Sequence, residues 1–255
     1  MNVSVLHTPA DFAALATRCL DDTACVVFDV LRATSSIVTA LSHGAEAILP
    51  VREIADALNE RRRDPSLLLA GERHGLRIGA SLTGDVEFDF GNSPREFLPE
   101  RVRGSRIAIT TTNGTRALQS CRHARWVLAS SFLNLGSTTR YLRTLDASEV
   151  VIICSGTGEK SAYEDVLGAG ALCSRLMQEH PASLHDDSAL MARTLFDRAR
   201  GDLVGAFQRS ENGRRLLTLP ELAADIAVCA NTDTLKSVAL ADAQGWLRSV
   251  ALPNV

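Results

Sequence analysis

Six charged side chains of this chain stand where apolar runs give way to polar turns: Asp29, Glu72, Glu164 and Asp165, with Arg32 and Arg116 beside such turns. A carboxylate that closes an apolar run is desolvated by its neighbours, and groups in that position often do chemistry rather than support. Asp29 is the clearest case, because Cys25-Val26-Val27-Phe28 runs directly into it. Arg32, three residues on, fits either an ion pair with Asp29 or a bond to phosphate. Carboxylates of this kind suit a hard divalent cation, while arginine, threonine and free backbone N–H groups suit an oxyanion. Chemistry on a phosphate ester uses both.

The turn richest in such donors lies within Ile107–Ser120. Ile107-Ala108-Ile109 reads as a buried strand, and Thr115 onwards as a helix. Between them Thr110, Thr111, Thr112, Asn113 and Gly114 offer small polar groups and a flexible backbone, with Arg116 in the first helical turn. Such a strand–turn–helix aims N–H groups at one point and favours an anion there; the plainer alternative is a turn that merely caps its helix. Thr34 occupies a similar turn after Asp29. Asn92-Ser93-Pro94 forms a turn and helix entry within the long irregular stretch 75–99, the kind of loop that often walls an active site. Ser131 and Asn134 follow another strand. Gly156-Thr157-Gly158 weakly suggests a dinucleotide loop, but lacks a third glycine and the later acidic strand end, so a nicotinamide cofactor is not expected.

The elements that must position these groups alternate. Strands are expected at 2–6, 25–28, 47–51, 67–70, 107–109, 125–129 and 150–154. Helices are expected between them, the first opened by Thr8 as N-cap and Pro9. The pattern predicts an α/β sandwich with a mostly parallel or mixed sheet, in one compact unit over residues 1–255. The polar strand ends then meet at one edge, outside the carboxyl ends of the strands. Segment 185–217 reads as amphipathic helix with Leu190, Ala192, Leu195 and Phe196 on one side, for packing or contact with a second subunit.

Composition narrows the classes. A formal net charge of −3 over 255 residues, with no basic face, argues against nucleic acid. No apolar run approaches a membrane span, and MNVSVLHTPADF has neither the basic nor the apolar part of a secretory signal. The six cysteines show no metal spacing and read as small hydrophobes. A cytoplasmic protein acting on a small anionic molecule is the expectation.

Several motifs in order, DVLRATSS (29–36), GER (71–73), FDFGNSP (88–94), TTTNGTRAL (110–118), SFLN (131–134) and EDVLGAG (164–170), resemble the 2-phosphosulfolactate phosphatase family over nearly the whole chain. The resemblance implies a three-layer α/β/α architecture and a Mg2+-dependent phosphatase. Its substrate would be (R)-2-phospho-3-sulfolactate, releasing 3-sulfolactate on a route to coenzyme M in some organisms. On that basis Asp29, Glu72, Glu164 and Asp165 are the expected magnesium ligands, with Asp29, Arg32 and Arg116 catalytic. Thr34, Asn92, Ser93, Thr111, Thr112, Asn113, Gly114, Thr115, Ser131 and Asn134 are the expected substrate contacts. Two departures from the family pattern are Val238-Ala239, where relatives tend to have Val-Pro, and a longer segment 80–87. The alternatives are a phosphatase for another 2-hydroxy acid phosphate, or an α/β protein that binds anions without turnover.

Overall fold

The computed structural model describes residues 1–179 and 183–252. Eleven strands among the described residues share one sheet: β1 (Asn2–Leu6), β2 (Thr23–Phe28), β3 (Ala47–Pro50), β4 (Leu68–Arg73), β5 (Leu76–Arg77), β6 (Arg106–Thr110), β7 (Trp126–Ser130), β8 (Glu149–Cys154), β9 (Leu184–His185), β10 (Val238–Ala241) and β11 (Leu247–Val250). Their order across the sheet is β5-β4-β6-β3-β11-β10-β7-β2-β8-β1-β9.

β2 shows why the sheet is covered on both faces. Successive side chains of a strand point to opposite sides. Ala24, Val26 and Phe28 join one core with the helix Tyr163–Glu179, whereas Cys25 and Val27 join another with the helix Ala33–Ser42. β8 does the same, with Val150, Ile152 and Cys154 on the first side and Val151 and Ile153 on the second. Strands buried on both faces need continuous apolar runs, and these two have them. The result is a three-layer α/β/α sandwich.

The sheet is mixed in a particular way. β4, β6 and β3 form one parallel block, and β7, β2, β8, β1 and β9 another. The antiparallel hairpin β10–β11 sits between them, so along the sheet the two blocks run in opposite senses. Five pairings separate β6 from β2, and a twist of about 20–25° at each accumulates to roughly a right angle or more. The sheet wraps around the helix Ala33–Ser42, which touches β7, β10, β11 and β3. That curl lets the carboxyl ends of β4 and β6 reach the carboxyl end of β2, which a flat sheet with opposed blocks would not allow.

Local signals hold where the chain enters and leaves its helices. Thr8 caps Pro9–Ala13 through a reciprocal pair with Asp11, and Gly44, with φ 94°, ends the helix Ala33–Ser42. Segment 185–217 is less regular than its pattern suggests, breaking into Asp187–Ala199, Leu203–Arg209 and Glu211–Leu217. Ala192 is buried there, but Leu190 and Leu195 are 42% and 40% exposed, so the expected common apolar side is not wholly covered. No helix among the described residues is long and apolar enough to cross a membrane.

Candidate active site

Three carboxylates lie together beneath the carboxyl ends of β2 and β8. Asp29 directly follows β2, and its Oδ1 accepts the Ala33 N–H at 3.1 Å, tying it to the start of the helix Ala33–Ser42. Thr34, also expected at the site, is instead spent on the backbone of that turn. Its hydroxyl donates to the Asp29 carbonyl at 2.9 Å and accepts the Asp29 N–H at 3.0 Å. Asp165, in the first turn of Tyr163–Glu179, is a brace. One oxygen accepts the Val30 N–H at 2.8 Å, and the other accepts the Ser155 hydroxyl and the Gly156 N–H at 3.0 and 3.1 Å. It locks the loop after β2 to the loop after β8.

Glu164 is different. Its Oε1 accepts from Asn212 at 2.6 Å, while its Oε2 is buried without any hydrogen-bond partner. Glu72, at the end of β4, is a second brace. It accepts the N–H and hydroxyl of Thr112, both at 3.0 Å, and the Gly75 N–H at 2.7 Å. So of the four carboxylates expected to bind a metal, two have oxygens in reserve and two hold loops.

The charges are closely coupled. Burial pushes Asp29 up to about 6, opposed by the Ala33 N–H and reinforced by the charges of Glu72 and Glu164. Burial, then the Asp29 and Glu164 charges, pushes Asp165 well above the usual range. Glu164 is also raised by burial, opposed by Asn212, its own backbone, Ser210 and the charge of Arg215. Groups that raise one another in this way are poised to receive positive charge.

A cavity of about 210 Å³ opens beside Asp29, lined among others by Asp29, Arg32, Glu72, Asn92, Thr112 and Asn113; Glu164 and Asp165 lie behind this lining, Glu164 bonded to the lining residue Asn212. Asn92 contributes a buried Oδ1 with no partner. Its neighbour Ser93 turns away, donating to Asp225 Oδ1 at 2.7 Å. Arg32 is 3% exposed and is held by Asp225 Oδ2 and the Gly75 carbonyl, each at 2.8 Å. Its ion-pair partner is therefore Asp225 and not Asp29.

The Thr110–Arg116 turn differs from its expected role as a fork of donors. Thr111 and Thr115 bond to each other, the Thr115 N–H going to Thr111 Oγ1 at 3.3 Å and the Thr115 hydroxyl to the Thr111 carbonyl at 3.0 Å. Arg116 is absent from the cavity lining and pairs with Glu159 at 2.5 Å, because the loop after β8 brings that acid to the helix surface. Ser131 and Asn134 are also outside the lining. Asn134 accepts the Ser131 N–H at 2.9 Å and donates to the Ser237 carbonyl at 3.0 Å, fixing β7 to the start of β10. What the turn does offer the cavity is Thr112 and Asn113; Gly114 and Thr115 lie outside its lining.

Gly114 also sets the closeness of the two blocks. A Cβ there would stand 2.5 Å from Asp29 Oδ2 and 2.7 Å from Ala33 Cβ. Gly114→Ala should therefore displace Asp29. The expected result is a kcat at least about tenfold lower with a folded protein, since overpacking of this kind costs roughly 1–3 kcal/mol. Steady-state kinetics with a urea titration checks it, and unchanged kcat would mean that the Asp29–Gly114 contact is unimportant.

Sequence reasoning missed the wall supplied by the C-terminal helices. Asn212, Arg215 and Leu216 line the cavity, together with His74 and Thr157. No local motif marks them, because Glu211–Leu217 looks like an ordinary amphipathic turn capped by Ser210.

A profile of the 2-phosphosulpholactate phosphatase family matches residues 12–244. The chain belongs to this family. A probable 2-phosphosulfolactate phosphatase of Gloeobacter violaceus is 39% identical over 251 residues, covering 97% of this chain and 98% of its own. One from Synechococcus sp. (strain JA-3-3Ab) is 41% identical over 216 residues, covering 84% and 86%. One from Picosynechococcus sp. is 36% identical over 251 residues, covering 98% and 99%. The matches run through both blocks of the sheet and into the C-terminal helices, so the cavity lies within the shared region.

Proposed function

We propose that this chain is a phosphoric monoester hydrolase that cleaves (R)-2-phospho-3-sulfolactate to 3-sulfolactate and phosphate with the help of Mg2+. Family membership supports the reaction class, and the names carried by its relatives support the substrate. The observation that carries the proposal is Glu164 Oε2, a buried carboxylate oxygen with no partner, close enough to Asp29 for their charges to interact. Asp29 and Glu164 offer oxygen donors, which fit a hard cation. Among the described residues no three His, Cys, Asp or Glu side chains cluster tightly enough to hold an ion alone. Magnesium asks for less, since it keeps several waters and commonly takes one or two carboxylates plus phosphate.

Glu164 and Asp29 would hold the ion. When bound, the ion would supply positive charge against the phosphoryl oxygens. The chain's own groups do the rest. Ala33 keeps Oδ1 of Asp29 engaged, leaving Oδ2 to bind the ion or to reach phosphorus. Asp165 and Glu72 hold the loops that bear the site. Asn113, in the cavity lining, can donate to phosphoryl oxygens, for which preorganised donors are effective. Arg32, fixed by Asp225, presents its remaining N–H groups from the cavity wall.

Phosphate release from 2-phospho-3-sulfolactate, 2-phospholactate and 2-phosphoglycerate, with Mg2+ and with EDTA, tests the proposal. Turnover of the sulfonated ester that is fastest of the three and lost in EDTA is expected. Metal-independent turnover, or none, would overturn it.

A pH dependence follows. Because Asp29 titrates near 6 in the folded chain against about 4 unfolded, protons and Mg2+ compete for it. Without metal, the folded state holds the extra proton between those values, so the Asp29 contribution to stability falls as pH rises through 6. With Mg2+ at a hundredfold excess over its Kd, stability should gain about 2.7 kcal/mol, or about 5–10 °C in Tm. That gain should be present at pH 7.5 and roughly halved, to about 1.4 kcal/mol, at pH 5, where about nine in ten Asp29 carboxyls are protonated. Thermal melts at the two pH values decide; an equal shift at both would place the ion elsewhere.

A further inference from the structure

We propose that the outer face of the helix Asp187–Ala199 docks a second copy of this chain, the two helices running antiparallel across a two-fold axis. The inference is independent of the phosphatase reading.

The helix has two faces of different character. On the inner one Ala189, Ala192 and Ala199 are buried. There it lies so close to the helix Tyr163–Glu179 that a Cβ on Gly170 would strike the Ala192 carbonyl. The outer face carries Leu190, Met191 and Leu195, which are 42%, 56% and 40% exposed. Single exposed apolar residues are ordinary, but these adjoin, lining one open hollow of about 600 Å³ with Asp187 and Thr194. The Thr194 hydroxyl donates to the Leu190 carbonyl at 2.8 Å, so covering it strands no donor. A second hollow of about 400 Å³ shares Met191 and Leu195 and continues onto Tyr163 and Val166. That continuation matters, because one pair of short helices buries less than the about 1,200 Å² of a stable interface.

The order of residues along this face selects a second copy as the occupant. In an antiparallel pair related by a two-fold axis, positions equally far from the axis on either side stand level with one another. An axis between Ala192 and Arg193 sets Met191 level with Thr194 of the other copy, Leu190 with Leu195, and Asp187 with Arg198. The spacing Asp187, Met191, Thr194, Arg198 alternates steps of four and three, which keeps these residues on one seam. Asp187 and Arg198 are exposed and, among the described residues, neither has an ion-pair partner. Arg193 and Asp197, off the seam, already pair with each other at 3.6 Å. The apolar centre thus meets itself, and the two unpaired charges meet their opposites at both ends.

Sedimentation equilibrium from about 1 to about 100 μM, the range in which modest interfaces associate, tests the proposal. Wild type should approach twice the chain mass of 27.4 kDa, and Leu195→Glu should remain at the chain mass. Asp187→Arg and Arg198→Asp each turn two attractions into two repulsions, and each should raise the dimer Kd about ten- to a hundredfold. Combining the two reversals should restore the Kd to within about threefold of wild type, since opposite charges again stand level. The helix dipole alone, which favours acid at the first turn and base at the last, would make that double variant the weakest of the three. A wild type that stays at the chain mass, a dimer that survives Leu195→Glu, or a double variant no tighter than the single reversals overturns the proposal.

Discussion

Asp29→Asn is expected to lower kcat for phosphate release by about a thousandfold, the scale on which removal of one positioned charge or catalytic group acts. The side chain keeps its volume, and the amide oxygen can still accept the Ala33 N–H. Folding should survive. Removing a desolvated charge that Glu72 and Glu164 both repel should even stabilise the metal-free protein at pH 7.5, where wild-type Asp29 is ionised. The variant should lose most of the Mg2+-induced rise in Tm at the same time. Retained activity above about a tenth of wild type would remove Asp29 from the chemistry, and a collapse in stability would make it a structural residue.

The second large effect concerns Asp225. This carboxylate is fully buried and accepts from Arg32 at 2.8 Å, from the Ser93 hydroxyl at 2.7 Å and from Arg95 at 2.7 Å. Those donors come from the turn after β2, from the FDFGNSP segment and from the residue after it, so one side chain of the C-terminal helix Asp225–Cys229 ties these segments together. Asp225→Ala leaves the Arg32 guanidinium buried with its charge uncompensated. Breaking such a pair from one side costs about 3–5 kcal/mol. Urea unfolding should show a loss of that size. Asp225→Asn should be milder in stability, since it keeps an acceptor, yet should still reduce kcat by loosening Arg32. A loss under about 1 kcal/mol in Asp225→Ala would mean that Arg32 finds water or another acceptor.

The groups that were legible in the sequence are those that end a continuous apolar strand. Asp29 after Cys25–Phe28, and Glu72 after Leu67–Ala70, stand out because their neighbours alone determine that they are desolvated. Thr8-Pro9 and Gly44 were legible for the same reason, as caps are local. The two-block sheet was not, because the sense of a strand depends on which neighbour it pairs with. The hairpin β10–β11 that reverses the sense comes from the far end of the chain. Arg32 illustrates the limit at the site. Its nearest acid in sequence is Asp29, three residues away, but its partner is Asp225, which only the tertiary fold delivers. Arg116 shows the converse, a cation well placed by local pattern and claimed by Glu159 from another loop. Glu72 and Asp165 could be recognised as buried acids from their strand ends, but not as braces. Whether a carboxylate oxygen is free depends on backbone N–H groups that arrive from other turns.

The proposed divalent cation would be held at the unpartnered oxygen of Glu164 and at Asp29, whose charges interact. Anomalous diffraction from crystals soaked with Mn2+ in place of Mg2+ tests this most directly. The expected result is a peak bonded to Glu164 Oε2 and, directly or through one water, to the Asp29 carboxylate, and absent from Glu164→Gln crystals. A peak held by other residues, or no peak in the wild-type cavity at saturating Mn2+, would contradict it.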